Sequence, residues 1–125
     1  MHEIVFVRTK KHGKLHTLDA TLDLDGALVF DEVDSFPPLG GDQGREVDDY
    51  LTIAATHKPD LLHRLVLAFD GLSDTCAEIP DERLLCALQG LADLGHWRTL
   101  DEVETWLLEY CIPFTKQRRV EIKHD

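Results

Sequence analysis

The stretch TLDLDGALVFD, residues 21–31, decides the fold because it predicts two neighbouring strands and the turn between them. From Leu18 to Leu24, apolar and polar residues alternate, which is typical of a strand with one buried face. Asp25-Gly26 then predicts a two-residue type I′ turn, since both central positions of that turn need positive φ. Ala27 to Phe30 resume as the partner strand. The stretch therefore predicts a β-hairpin.

Two further strands are predicted around this hairpin. Ile4 to Val7 form a short β-rich run, and a polar turn with Gly13 at its tip follows. Tyr50 to Ala55 read as another strand. Between the hairpin and Tyr50, residues 34–49 contain two prolines and three glycines and are predicted to be one long polar loop. The N-terminal half thus predicts an antiparallel β-meander.

The second half predicts three helices. Pro59 suits the first turn of one helix, and Pro80 opens the next, which Gly95 closes. Thr99 is a good N-cap for the third, with Glu102 completing a capping box.

Residues 119–123 then predict a C-terminal edge strand, after Pro113 has ended the third helix. Strands followed by helices indicate the α+β class. We therefore expect one domain over residues 1–125, an antiparallel β-meander with about three α-helices packed on one face.

Composition favours a globular cytoplasmic protein. The chain has 125 residues, of which 43% are hydrophobic, and no apolar run reaches the length of about 20 residues that a membrane helix needs. An apolar run precedes the first basic residues, the reverse of a secretory signal. Cys76, Cys86 and Cys111 lack CxxC spacing, so no disulfide framework is expected, and Cys86 is predicted to be a core residue.

The net charge of −11 is concentrated in one segment. Residues 19–50 carry ten acids against Arg45 alone. A field of this sign repels nucleic acid and attracts basic proteins or cations. The predicted acidic loop and its two aromatic anchors form the candidate partner-binding set: Asp31, Glu32, Asp34, Phe36, Asp42, Glu46, Asp48, Asp49 and Tyr50.

The Asp23-x-Asp25-Gly26 motif resembles the nucleophile motif of haloacid-dehalogenase-type phosphatases. In that family one Asp accepts the phosphoryl group and the next is the general acid. Here Ala27 stands where a hydroxyl residue belongs, and the later lysine and acidic pair come in the wrong order. A small magnesium-dependent phosphatase or hydrolase using Asp23 and Asp25 is one alternative function.

Other chemistry lacks a motif in this sequence. Asp23, Asp25 and Gly26 overlap the start of an EF-hand loop, but the glycine and the last acid occupy the wrong positions. The seven histidines form neither HExxH nor a Cys/His pair at zinc spacing. No catalytic residue, metal ligand or cofactor is predicted.

Two segments resemble small acidic bacterial proteins of the immunity type, which neutralise a cognate toxin by binding it. They are Asp25 to Phe30, with Tyr50 after the acidic loop, and Trp106 to Phe114. The resemblance implies a non-catalytic inhibitor whose acidic loop blocks the active site of a basic, nuclease-like toxin. It implies neither nucleic-acid nor membrane binding.

Two further points stay open at the level of sequence. A phage-type anti-defence protein could use the same acidic surface to imitate nucleic acid. The apolar helix stripes could also be buried against a second copy of the chain, as in a homodimer.

Overall fold

Five strands form a single antiparallel sheet in the order β1-β2-β3-β4-β5. The computed structural model describes residues 3–37, 44–69, 72 and 79–123. The strands are β1 (Ile4–Lys11), β2 (Lys14–Leu22), β3 (Leu28–Phe36), β4 (Gly44–Ile53) and β5 (Thr115–Lys123). The helices are α1 (Lys58–Ala68), α2 (Pro80–Asp93) and α3 (Leu100–Glu109), with a 3₁₀ turn at Ala55–His57 before α1. The predicted α+β meander is confirmed, with β5 at the sheet edge.

One face of the sheet packs against the helices and carries the core. Ala20, Phe30 and Leu51 lie side by side on neighbouring strands, and all three side chains are fully buried. Leu65 and Leu107 reach them from the helix layer and are equally inaccessible to water. Alternation along each strand sends the intervening residues to the opposite face. None of the helices in the described ranges combines the length and apolar character needed to cross a bilayer.

The two tryptophans belong to this core. Trp97 and Trp106 are 4% and 9% exposed, and their rings meet edge to face with centroids 5.6 Å apart. Phe30 also packs edge-on against Trp97, at 5.7 Å. Trp97 has a positive φ of 59°, which a bulky side chain rarely adopts. Its aromatic neighbours therefore hold an unfavourable backbone conformation in place.

The hairpin between β2 and β3 is present, but its turn differs from the predicted type I′. Asp23 N donates to Ala27 O at 2.9 Å, and Gly26 N donates to Asp23 O at 3.1 Å. Gly26 alone has positive φ in this turn, at 81°. The loop is therefore longer than two residues. Leu24, predicted to face the core, lies at its tip and is fully exposed.

The carboxylate of Asp23 holds this turn together. Its Oδ1 accepts hydrogen bonds from the backbone N–H groups of Asp25 and Ala27, both at 2.9 Å. Asp and Asn commonly bond their own turn in this way. The Asp-x-Asp-Gly motif thus has a structural role, and a hydrolase role for Asp23 and Asp25 stays a prediction.

Cys86 departs from its expected place in the core. It is exposed on α2 and disulfide-bonded, whereas Cys111 is a free, exposed thiol. Both the core position of Cys86 and the expectation of unpaired cysteines are wrong. The buried face of α2 is instead formed by neighbouring residues, including Leu84, Leu85 and Leu88. Cys76 lies outside the described residues.

Replacing Asp23 by Ala is expected to lower the free energy of unfolding by about 1–2 kcal/mol, because two backbone donors lose their charged acceptor. The matched control is Asp25→Ala, whose exposed carboxylate accepts neither bond, and which is expected to change stability by less than about 0.5 kcal/mol. Urea unfolding of the three proteins measures the difference. Equal stability of the two variants would contradict the role given to Asp23.

Candidate functional site

The loop predicted over residues 34–49 is wrong for the members of the set that it covers and the structure describes, whereas Tyr50 lies in a strand as predicted. Asp31, Glu32, Asp34 and Phe36 lie in β3, and the members from Glu46 to Tyr50 lie in β4. Asp42 lies outside the described residues. Because side chains alternate along a strand, the set divides between the two faces of the sheet.

On the face away from the helices, four acids form what we call the carboxyl cluster: Asp19, Asp31, Glu46 and Asp48. Asp19 on β2 pairs with Asp31 on β3, and Asp31 pairs with Tyr50 on β4. Asp48 and Glu46 follow on the same face of β4 at alternate positions. Like charges on adjacent strands destabilise a sheet. Electrostatic repulsion within the cluster therefore lowers the stability of the fold.

Proton affinities on this face reflect the crowding. The pKa of Asp31 is raised from 3.8 to about 8, mainly by partial burial and secondly by a hydrogen bond with Asp48. Burial and then Glu3 raise the pKa of Asp19 to about 6. One oxygen of Asp31 and one of Asp48, both Oδ1, are closed to solvent and lack a partner among the described residues. One proton held between these two carboxyl groups accounts for both observations.

Tyr50 completes the cluster as a donor. Its hydroxyl donates to Asp48 Oδ2 at 2.6 Å, and this bond raises the pKa of Tyr50 to about 12. The nearest cation by register is Arg119, which lies opposite Asp48 on β5 and is exposed. The arrangement suits the binding of cationic groups, since a positive partner would relieve the repulsion among its carboxylates.

The remaining members of the set lie on the helix side, around a cleft of about 610 Å³. The cleft opens between the sheet and the N-terminus of α3. Acids and bases both line it: Thr9, Lys11, Lys14, His16, Glu32, Asp34, Asp49, Thr99, Leu100, Asp101, Lys116 and Arg118. It is thus mixed in charge, unlike the carboxyl cluster behind it.

One ion pair fixes the wall of the cleft formed by β4 and β5. Arg118 donates two hydrogen bonds to the Asp49 carboxylate, from Nε to Oδ1 at 2.7 Å and from Nη2 to Oδ2 at 3.1 Å. Asp49 is the one charged residue classed as buried in the described part of the chain. Its carboxylate also raises the pKa of Arg118. Asp49 is therefore a structural partner of Arg118 and is not open to another protein.

The opposite wall centres on Glu32. Its Oε2 accepts from His16 Nε2 and from the backbone N–H of Leu100, each at 3.0 Å. Leu100 begins α3, and the predicted cap is confirmed, because Thr99 Oγ1 accepts from Glu102 N at 3.3 Å. A carboxylate at a helix N-terminus is favoured by the helix dipole. Glu32 therefore ties the end of α3 to the sheet.

Phe36 does not anchor either surface in the way the sequence predicted. Its ring lies between two cations, with Lys14 Nζ 4.6 Å and Arg45 Cζ 4.8 Å from the ring centroid. These are cation–π contacts within the fold. Phe36 is thus already occupied by neighbouring side chains.

Three residues of these sites escaped sequence reasoning: Asp19, His16 and Arg118. Each reaches its neighbours only through strand register, which pairs Asp19 with Asp31, His16 with Asp34 and Arg118 with Asp49. The alternation of Asp19 with buried Leu18 and Ala20 was the available signal for the first. Extending that alternation back to His16 would have placed His16 on the helix side.

Comparison with known proteins found no similar family model, curated protein or solved structure. The resemblance to immunity proteins stays a prediction.

Asp31→Asn is expected to make the protein more stable than the wild type, with a gap that widens from about pH 5.5 to about pH 8.5. In the wild type the unfolded chain ionises Asp31 near 3.8, whereas the folded chain keeps the proton up to about 8. The contribution of Asp31 to the free energy of unfolding is therefore full below about pH 3.8 and declines as the pH rises to about 8. After discounting for solvent screening, the gap at the higher pH is about 1–2 kcal/mol.

Urea unfolding at the two pH values measures this gap, with Asp25→Asn as the control for an exposed acid. A gap that stays constant or narrows with rising pH would contradict the account of Asp31.

Proposed function

We propose that this chain is a non-catalytic binding protein of the toxin-neutralising immunity type, which holds a basic protein against its carboxyl cluster. The observation that carries the proposal is the position of Asp31 and Asp48, crowded together on a sheet face that no helix in the described ranges covers. A proton shared between Asp31 and Asp48 accounts for their solvent-closed oxygens. The negative charge that the cluster keeps on the open face suits a cationic side chain from a partner.

The shape of this face also supports a protein as the partner. Between the carboxyl groups lie half-buried residues such as Leu15, Val29 and Val33. A sheet face that carries both apolar side chains and carboxyl groups is suited to binding another protein, since interfaces combine apolar contact with desolvated charge pairs. Steric cover of a basic active site by this face inhibits without turnover.

The proposal shifts the binding surface from the one expected at the level of sequence. Asp31, Glu46, Asp48 and Tyr50 stay in it, and Asp19 joins them. Glu32, Asp34 and Asp49 lie on the other side of the sheet, where Asp49 is held by Arg118. Phe36 is enclosed by cations of its own chain.

The test compares the full-length protein with a triple variant as bait in an extract of the native host. Asp31→Asn, Glu46→Gln and Asp48→Asn together replace three carboxyl groups of the cluster by amides. A matched control replaces three exposed carboxyl groups elsewhere, by Asp25→Asn, Asp93→Asn and Glu109→Gln. We expect the wild type and the control to retain the same basic protein, and the triple variant to release it.

The retained protein is then purified and titrated against each bait. We expect the triple variant to bind about 100-fold more weakly and with a shallower dependence on salt, because it has lost the charges that the partner contacts. Co-expression is expected to suppress the partner's toxicity with the wild type and not with the triple variant. Equal retention by all three baits, or retention of no basic protein, would contradict the proposal.

The identity of the retained protein separates this function from nucleic-acid mimicry. A toxin bound at its catalytic centre is expected to lose its own activity when the bait is added. If the retained protein is instead a nucleic-acid-handling defence complex, the anti-defence alternative replaces the immunity function.

A further inference from the structure

We propose that His16, Glu32 and Asp34 form a binding site for a divalent transition-metal ion in the cleft beside α3. One imidazole nitrogen and two carboxylate oxygens are ligands that suit Zn²⁺. The site is independent of the carboxyl cluster, because it lies on the other face of the sheet. The spacing of these residues in the sequence predicted no such site.

Strand register brings the three ligands together. His16 on β2 lies directly opposite Asp34 on β3, and Glu32 is two residues before Asp34 on the same face. One ligand atom from each residue lies within 4.8 Å of the other two, and His16 Nε2 lies 3.0 Å from Glu32 Oε2. Ligands at zinc distances of about 2.0–2.2 Å lie about 3.3 Å apart in a tetrahedral site. Small side-chain rotations therefore close the set around an ion.

A backbone donor already orients the central ligand. Glu32 Oε2 accepts from Leu100 N at 3.0 Å, and the side chain of Glu32 is only 14% exposed. Metal-binding carboxylates are usually fixed by an outer hydrogen bond of this kind. The start of α3 therefore holds one ligand in place before an ion arrives.

Three of the basic residues that line the cleft make contacts with other groups. The guanidinium of Arg118 is taken by Asp49, and Lys116 Nζ lies 2.6 Å from Glu104 Oε2. Lys14 lies over the ring of Phe36. Within the part of the chain that the structure describes, Asp34 has neither a hydrogen bond nor an ion pair of its own. Two neighbouring carboxylates without a cation favour the entry of one.

Lys11 and Lys14 also line the cleft, but among the described residues neither forms an ion pair with Glu32 or Asp34. A bound metal ion or the protonated imidazole of His16 remains to supply the positive charge. The geometry favours the metal, because Asp34 lies opposite His16 without bonding to it, whereas an imidazolium would be expected to bond both carboxylates. Three protein ligands leave a fourth tetrahedral position directed into the cleft, where water or an anionic ligand fits.

Calorimetric titration of the untagged protein with Zn²⁺ tests the site. We expect one ion per chain, and at least about tenfold weaker binding in both His16→Ala and Asp34→Asn. The matched control is His12→Asn, which removes an imidazole from the β1–β2 turn and suits its left-handed φ of 54°. Its affinity is expected to equal that of the wild type. NMR of the imidazole nitrogens is expected to show a zinc-induced shift at His16.

The proposal would be overturned if both His16→Ala and Asp34→Asn bound Zn²⁺ with the wild-type affinity. It would also be overturned if the wild type bound Zn²⁺ no more tightly than His16→Ala does. A His16 imidazole that stays unshifted at saturating Zn²⁺ would also overturn it and favour the imidazolium ion pair. The triple variant of the carboxyl cluster is expected to bind Zn²⁺ as the wild type does. Failure of the metal site and failure of the inhibitor function are therefore separate results.

Discussion

A single layer of helices covering one face of a five-stranded sheet is the constraint on which the structure depends. It buries Ala20, Phe30 and Leu51 and directs the residues between them to the opposite face, which no helix of the described residues covers. Because strand side chains alternate, every buried position fixes the direction of its neighbours. The core on one side therefore determines which acids meet on the other. Both sites of this protein follow from that alternation.

Under the proposed function, the carboxyl cluster lowers the stability of the fold in exchange for binding. Asp19, Asp31 and Asp48 lie within reach of one another, although a sheet surface accepts uncharged polar residues at no such cost. Functional positions are where proteins tolerate this kind of local conflict. By contrast, Asp49 on the helix side is matched by Arg118 and contributes a conventional ion pair. The same strand thus carries an acid paired with an arginine on one face and, on the other, Asp48 with one oxygen that lacks a hydrogen-bond partner among the described residues.

Local signals in the sequence were enough to predict the fold. The alternation around Leu18, the caps at Thr99 and Gly95 and the prolines that open the helices each identify an element by themselves. The loop predicted over residues 34–49 was the main error. Pro37 and the glycines around it suggested that the charges beside them were also loop, whereas β3 continues to Phe36 and β4 begins at Gly44.

The sites were less predictable because they depend on contacts between strands. Nothing in the sequence near Asp31 indicates that Asp19 lies beside it, or that Glu32 points the opposite way. The metal ligands are two residues apart on β3 but need His16 from β2, so they show no motif spacing. Charge density identified the correct part of the chain. Register was needed to separate one acidic segment into two different surfaces.

The most direct test of this account is a carbon-13 NMR titration of the aspartate carboxyl groups in the free protein. We expect Asp31 to titrate with an apparent pKa of about 8, raised from its ordinary value of 3.8 by partial burial and by its hydrogen bond with Asp48. That result would establish that Asp31 holds a proton at neutral pH on the open face of the sheet. Titration of Asp31 near its ordinary value would contradict the account.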